Sequence, residues 1–191
     1  MTDAFPNSLK TALKEWDIVC RSLGSGRQVI LLRKGGISES IGGVEIEHRR
    51  FLLFPTFLHQ NPALLKPEER PKMVARAAEP DEIELAYAGD IIDIVQVQSR
   101  EKMDRLYDEH IWSPPLIDMR FAYRAEKPLY VVVVRAYRLK ETVRLANTAA
   151  YAGCKSWVPL EEQVDVSGAQ AALEDGPFDA VLERVRQALA G

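Results

Sequence analysis

The sequence predicts an α+β fold, a mixed and barrel-like sheet with helices at its edges. Three observations carry this. Strand-like runs outnumber helix-like ones, and their order never settles into the strand–helix–strand rhythm of a parallel α/β sheet. The run LYVVVVRAYRL, residues 129–139, is rich in branched residues and reads as a central strand. Amphipathic helical patterns open and close the chain.

Taken in order, residues 7–23 predict a helix. Leu9, Leu13, Trp16, Cys20 and Leu23 recur at alternating steps of four and three, which is one helical face. Asn7 or Ser8 suits its N-cap, and Gly24 suits a left-handed exit. Residues 28–32 are continuous and rich in branched residues, as a buried strand is. Gly35, Gly36, Gly42 and Gly43 bracket a loop, and residues 45–55 (EIEHRRFLLFP) read as the next strand. Pro62, Pro67 and Pro71 punctuate a loop with one short helix around residues 68–76. Residues 83–87 and 91–98 give two further strands, and residues 100–110 a helix with Met103, Leu106 and Tyr107 on one side. A short last strand falls at 156–160 (SWVPL). Residues 165–177 are small and polar, and 178–189 form a helix with Phe178, Val181, Leu182, Val185 and Leu189 on its apolar face. The expected organisation is one domain over residues 1–162, with 163–191 a polar tether and a helix packed upon it.

Composition narrows the function classes. With 47% hydrophobic and 28% charged residues the chain is globular rather than disordered. A net charge of -3 argues against indiscriminate coating of nucleic acid, but it leaves room for a local basic face. Between residues 21 and 50 the cations Arg21, Arg27, Arg33, Lys34, Arg49 and Arg50 outnumber Glu39, Glu45 and Glu47. A second basic stretch holds Arg120, Arg124, Lys127, Arg135, Arg138, Lys140 and Arg144. The two cysteines, Cys20 and Cys154, are too far apart in sequence to read as a disulfide framework, so a reduced, cytoplasmic protein is expected. The first sixteen residues lack the pattern of a secretory signal, and the longest apolar run, residues 129–134, is too short for a bilayer.

Several short constellations could carry chemistry. Arg33-Lys34-Gly35-Gly36 could cradle a phosphate, or simply end a strand in a turn. In Glu47-His48-Arg49-Arg50, alternation puts His48 and Arg50 on one face, as an anion contact or as charge protecting an edge. Thr56, His59, Gln60 and Asn61 follow a buried strand, where sites collect and where polar groups also satisfy a proline-rich loop. Trp112 could stack on a base or lid the core, and Tyr123, Arg120 and Arg124 could add stacking and charge. Cys154, Lys155, Ser156 and Trp157 form a compact cluster in which the thiol reads as nucleophile or as buried filler. No metal-ligand spacing occurs among the histidines and cysteines; Glu45 with Glu47, or Asp90 with Asp93, could hold Mg²⁺ or stand as solvated acids. No P-loop, dinucleotide fingerprint, E-x-K motif or Ser/His/Asp grouping is present, so no cofactor and no metal is expected.

The segments ALKEWDIVC, LLRKGG, FLLFPTFLHQNP, PLYVVVVRAYRL and GCKSWVPL together resemble the uncharacterised bacterial family of domain of unknown function 1802, over roughly residues 9–160. That resemblance implies no activity. A second resemblance is to the ASCH group of PUA-like β-barrels, in which a helix leads into a G-x-K-x-x-E-x-R strand. Gly26 and Arg33 match that motif, while Gln28 and Leu31 stand where it has lysine and glutamate. This second resemblance implies a PUA-like barrel that binds nucleic acid, most often RNA. The missing lysine weighs against the hydrolytic relatives, and Arg33 suits an anion better than acid/base chemistry. The function expected is therefore a nucleotide- or single-stranded nucleic-acid-binding module, for RNA or single-stranded DNA. Its basic pocket at a barrel mouth is lined by Arg33, Lys34, His48, Arg50, His59, Gln60, Lys155, Ser156 and Trp157. The alternatives are a hydrolase or nuclease using His48 and His59 as general acid and base, and a protein-partner module without a ligand of its own.

Overall fold

The structure, a computed structural model, describes residues 4–34, 48–153 and 155–190. Strand β1 (Ser8–Trp16) runs directly into helix α1 (Asp17–Gly24). Strands β2 (Ile30–Arg33), β3 (Arg50–Thr56) and the long β4 (Glu82–Val97) follow. Helices α2 (Arg100–Asp104) and α3 (Pro114–Ala122) precede the longest strand, β5 (Leu129–Ala146). Strands β6 (Trp157–Asp165) and β7 (Gln170–Ala171) lead to helix α4 (Asp175–Ala190). Hydrogen bonds order the strands β2-β5-β4-β3-β1-β6, with β7 added on β5. The β1–β3 pair is parallel and the others antiparallel. The sheet is mixed and the helices flank it, as the α+β expectation has it.

Two apolar cores explain the strand sequences. In β3, Phe51 and Leu53 enter a core shared with α1, α3 and α4, while Leu52 and Phe54 enter a second core with Leu9, Ala12, Val158 and Leu160. A strand buried on both faces must be apolar at every position, which is why FLLF shows no alternation. The sheet also curls. β2 and β1 are four places apart in the strand order, yet the Arg33 guanidinium reaches the Lys14 carbonyl at 3.4 Å and pairs with the Glu15 carboxylate. Side chains from six strands, Leu13, Leu31, Phe51, Ile91, Val132 and Trp157, close on one small interior space. The arrangement is barrel-like, though no ladder joins β2 to β6 among the described residues.

The element boundaries correct several expectations. The helix expected at residues 7–23 is half strand. An irregularity in the β1–β6 register between Leu9 and Thr11 puts Leu9 and Ala12 in the same core, which mimics helical spacing. The left-handed turn after α1 falls at Gly26 (φ 74°) rather than Gly24. The two strands expected at 83–87 and 91–98 are one, β4, bent by register shifts at Leu85/Tyr87 and Ile91/Asp93. The helix expected at 68–76 reduces to 3-10 turns at Pro62–Leu64 and Arg70–Lys72. α2 stops at Asp104, and α3 starts on Pro114, where a proline costs no helical hydrogen bond. The last strand is longer than expected, and β7 pairs with β5 within the stretch expected to be a polar tether. α4 seats Phe178, Leu182, Val185 and Leu189 in the core. None of the helices among the described residues is long and apolar enough to cross a membrane.

Candidate anion-binding cleft

Where the sheet curls, the C-terminal ends of β1 and β3 and the segment entering β6 enclose a cleft of about 810 Å³. Its walls carry the cations Lys14, Arg33, Arg120 and Lys155, the acids Glu15 and Glu79, and the aromatic rings of Trp16, Phe54 and Tyr151. β1 supplies Lys14, Glu15 and Trp16 in succession, and the last residue of β2 supplies Arg33. Arg120 comes from the last turn of α3.

The electrostatics centre on Glu15, which Arg33 and Arg120 share. Arg33 pairs with it directly. Arg120 lies close enough to feel both the Glu15 carboxylate and the Arg33 guanidinium. Burial lowers its affinity for a proton; Glu15 opposes that and Arg33 adds to it, although a guanidinium stays charged throughout. The Arg120 Nε is buried with no hydrogen-bond partner among the described residues. Two guanidinium ions facing one carboxylate leave positive charge uncompensated, and a buried donor without an acceptor costs about 1–3 kcal/mol. The Arg135 Nε is orphaned too, but that guanidinium lies over the Phe178 ring and pairs with Asp175. The Lys14 ammonium donates to the Tyr151 carbonyl and to that of Gly153 at 3.1 Å. This holds the segment before β6 against β1.

Of the residues expected at the site, Arg33, His59, Lys155 and Ser156 line this cleft. The others stand elsewhere. Lys34 is buried, its ammonium donating to the Phe121 and Arg124 carbonyls at 2.9 and 3.3 Å, where it closes the end of α3. Gln60 accepts from the Ile18 N–H at 3.2 Å and donates to the Val74 carbonyl at 3.0 Å, so it serves the first turn of α1. Arg50 pairs with Asp90 at 3.1 Å and donates to the Ala4 carbonyl. His48 meets the Trp157 ring edge-on at 5.4 Å, and Trp157 packs inward on Phe51. The His48–His59 acid–base pair is therefore not assembled in the cleft. Trp112 belongs to the core, and Tyr123 is exposed. Cys20 is buried, and burial pushes its thiol well above the ordinary range. Gly35, Gly36, Glu45, Glu47 and Cys154 lie outside the described residues. Asp90 is engaged by Arg49 and Arg50, and Asp93 by Arg186; no cluster of metal-ligating side chains occurs among the described residues.

Sequence reasoning missed Lys14, Trp16, Phe54 and Glu79. Lys14 and Trp16 lie in β1, whose residues SLKTALKEW show no strand alternation, and the helical spacing of Leu9, Leu13 and Cys20 conceals them. A second cavity, of about 610 Å³, opens beside α1. Its arginines are engaged: Arg21 with Asp17, Arg144 with Glu84, and Arg76 over the Phe57 ring. With Asp81 and Glu82 also on its walls, it offers an anion less than the first cleft does.

Comparison with solved structures finds the crystal structure of ASCH from Zymomonas mobilis, at 12% identity and a TM-score of 0.44, covering 91% of this chain and 93% of that one. Two mutants of the same protein match at 11% identity, with TM-scores of 0.44 and 0.45, covering 94% and 91% of this chain and 98% and 96% of theirs. A likeness at this level carries neither site nor chemistry across. No curated protein matches the sequence. The model of one family, described as a domain of unknown function (DUF1802), matches residues 12–184, nearly the whole of the described chain. By that match the chain belongs to the DUF1802 family.

Proposed function

We propose that the chain is a binding module for a nucleotide unit, free or at a single-stranded RNA segment, held in the cleft between β1, β2 and α3. The observation that carries this reading is the Arg33–Glu15–Arg120 group, with two guanidinium ions on one carboxylate and a buried Arg120 Nε that has no acceptor among the described residues. A phosphate oxygen there supplies both the missing acceptor and the missing charge. Trp16, half-buried on the same wall, offers a flat apolar surface for a base. The volume, about 810 Å³, lies within the range of small-molecule sites. Acid–base catalysis forms no part of the proposal, since only His59 of the two candidate histidines lines the cleft.

The test is anisotropy of a 3′-labelled oligouridylate, read at two salt concentrations and in competition with AMP. With roughly three phosphate contacts, a fourfold rise in salt is expected to weaken binding about twentyfold for a single strand. Arg120→Ala is expected to weaken it by about tenfold to a hundredfold, the worth of a hydrogen bond to a charged group. Binding that ignores both salt and Arg120→Ala refutes the reading.

A further inference from the structure

A backbone anion site at the edge of this cleft, toward the cavity beside α1 that Phe57 lines, is already filled by one of the protein's own carboxylates. The Phe57 N–H donates to both oxygens of Glu79, at 3.0 and 3.1 Å. The next N–H, of Leu58, donates to the same carboxylate at 2.8 Å. His59 follows with φ 71°, a left-handed position that ends the turn. Successive backbone amides converging on one anion form a concavity that takes phosphate as readily as carboxylate. Leu58, His59 and Glu79 line the same cleft as Lys14, Arg33, Arg120 and Lys155. Glu79 itself follows an irregular stretch in which residues 74–78 are exposed, tied to this turn by the Gln60–Val74 hydrogen bond and by Arg76 over the Phe57 ring.

We infer that the Phe57 and Leu58 amides form a phosphate-monoester subsite, and that Glu79 is the internal occupant a ligand displaces. This rests on the cleft being the ligand site proposed above. The charge balance favours a monoester. Among the described residues Arg33, Arg120 and Lys155 stand against Glu15 and Glu79, and with Glu79 withdrawn against Glu15 alone. A monoester carries a charge of about -1.5 to -2 near neutrality, which uses that excess more fully than the single charge of a diester. It also presents several terminal oxygens on one centre, as a carboxylate presents two. Glu79 thereby sets the affinity: it competes for the amides, and it opposes the incoming charge until it leaves.

The experiment is an amide and arginine side-chain NMR titration of wild type, Glu79→Gln and Glu79→Ala. The probes are AMP, adenosine, inorganic phosphate, and tetrauridylate with and without a 5′-phosphate. The Phe57 and Leu58 N–H signals are expected to move with every phosphate-monoester probe. They should stay still with adenosine and with the 5′-hydroxyl strand. Glu79→Ala is expected to bind AMP about tenfold tighter, the scale of one charge-assisted contact no longer contested. If alanine disorders the turn, Glu79→Gln, which keeps an oxygen for the amides and drops the charge, is expected to tighten binding in the same direction. Tighter binding of AMP than of the 5′-phosphorylated strand assigns the monoester to a free nucleotide, and the reverse assigns it to a strand end. Movement of the Arg120 Nε–H without Phe57 and Leu58, with unchanged affinity in both Glu79 variants, overturns the subsite and leaves the cleft standing. No movement at either place overturns both.

Discussion

Lys34 and Arg120 are both cations withdrawn from water, and their surroundings give them opposite roles. The Lys34 ammonium has two backbone carbonyls at the end of α3, so it is part of the scaffold. Lys34→Ala strands those carbonyls and is expected to cost about 1–3 kcal/mol in urea unfolding, with AMP affinity unchanged. Arg120 has charge and a donor to spare, so its substitution is expected to act on binding instead. His110 makes a third kind of case. It is fully buried, its Nδ1 accepts from the Trp112 N–H, and its pKa is held down to about 3, chiefly by burial and then by the charges of Lys66, Arg27 and Arg100. The unfolded chain takes up a proton near pH 6.5 while the folded one refuses it down to about pH 3. Stability from this residue is thus complete above pH 6.5 and lost as pH falls toward 3, at about 1.4 kcal/mol per pH unit. His110→Asn, whose side-chain oxygen can take the place of Nδ1, is expected to flatten that slope in unfolding curves measured between pH 4 and 7. Equal slopes in the two proteins contradict the assignment. The roles of Lys34 and Gln60 are not visible in the sequence, because each depends on a partner far along the chain, Lys34 on Phe121 and Gln60 on Ile18, and that of His110 depends on its burial.

At the scale of elements, legibility followed packing. β2, the first part of β5 and α4 are readable because each keeps one pattern, branched runs for the strands and a 3.6-residue stripe for the helix, whereas the exposed, polar end of β5 runs past the expected residue 139 to Ala146. β1 was misread because it is central, buried on both faces and irregular in register, so its apolar residues follow no period of two. α3 was missed because Pro114-Pro115 reads as a loop until one asks where a proline is harmless in a helix. The join between β1 and α1 positions the cleft, since the residues just before it carry Lys14, Glu15 and Trp16. Gly24 ends α1 against β4, and a Cβ there would lie 2.2 Å from the Tyr87 ring. Gly24→Ala forces that ring aside, and the expected loss is about 1–3 kcal/mol, seen as a lower unfolding midpoint. An unchanged midpoint would mean that the ring yields freely.

For the whole molecule, the decisive feature is the curl of the sheet. It brings Arg33 of β2 onto Glu15 of β1, and α3 adds Arg120 beside them. The sequence showed basic segments and strand ends but not their convergence, which is a product of strand order: β1 inserts between β3 and β6. That is why the expected pocket divided, with Arg33, His59, Lys155 and Ser156 on the cleft and Arg50, His48 and Trp157 away from it. In a chain of net charge -3 the cleft thus carries more cations than acids among its described lining residues, and binding there is expected to depend on salt. The most direct measurement is a crystal structure of the chain with AMP. The expected result is AMP in the cleft, its phosphate within hydrogen-bond reach of the Arg120 Nε or of the Phe57 and Leu58 N–H groups and its base against Trp16. A phosphate seated instead in the cavity beside α1, near Arg76 and Arg144, would contradict the account.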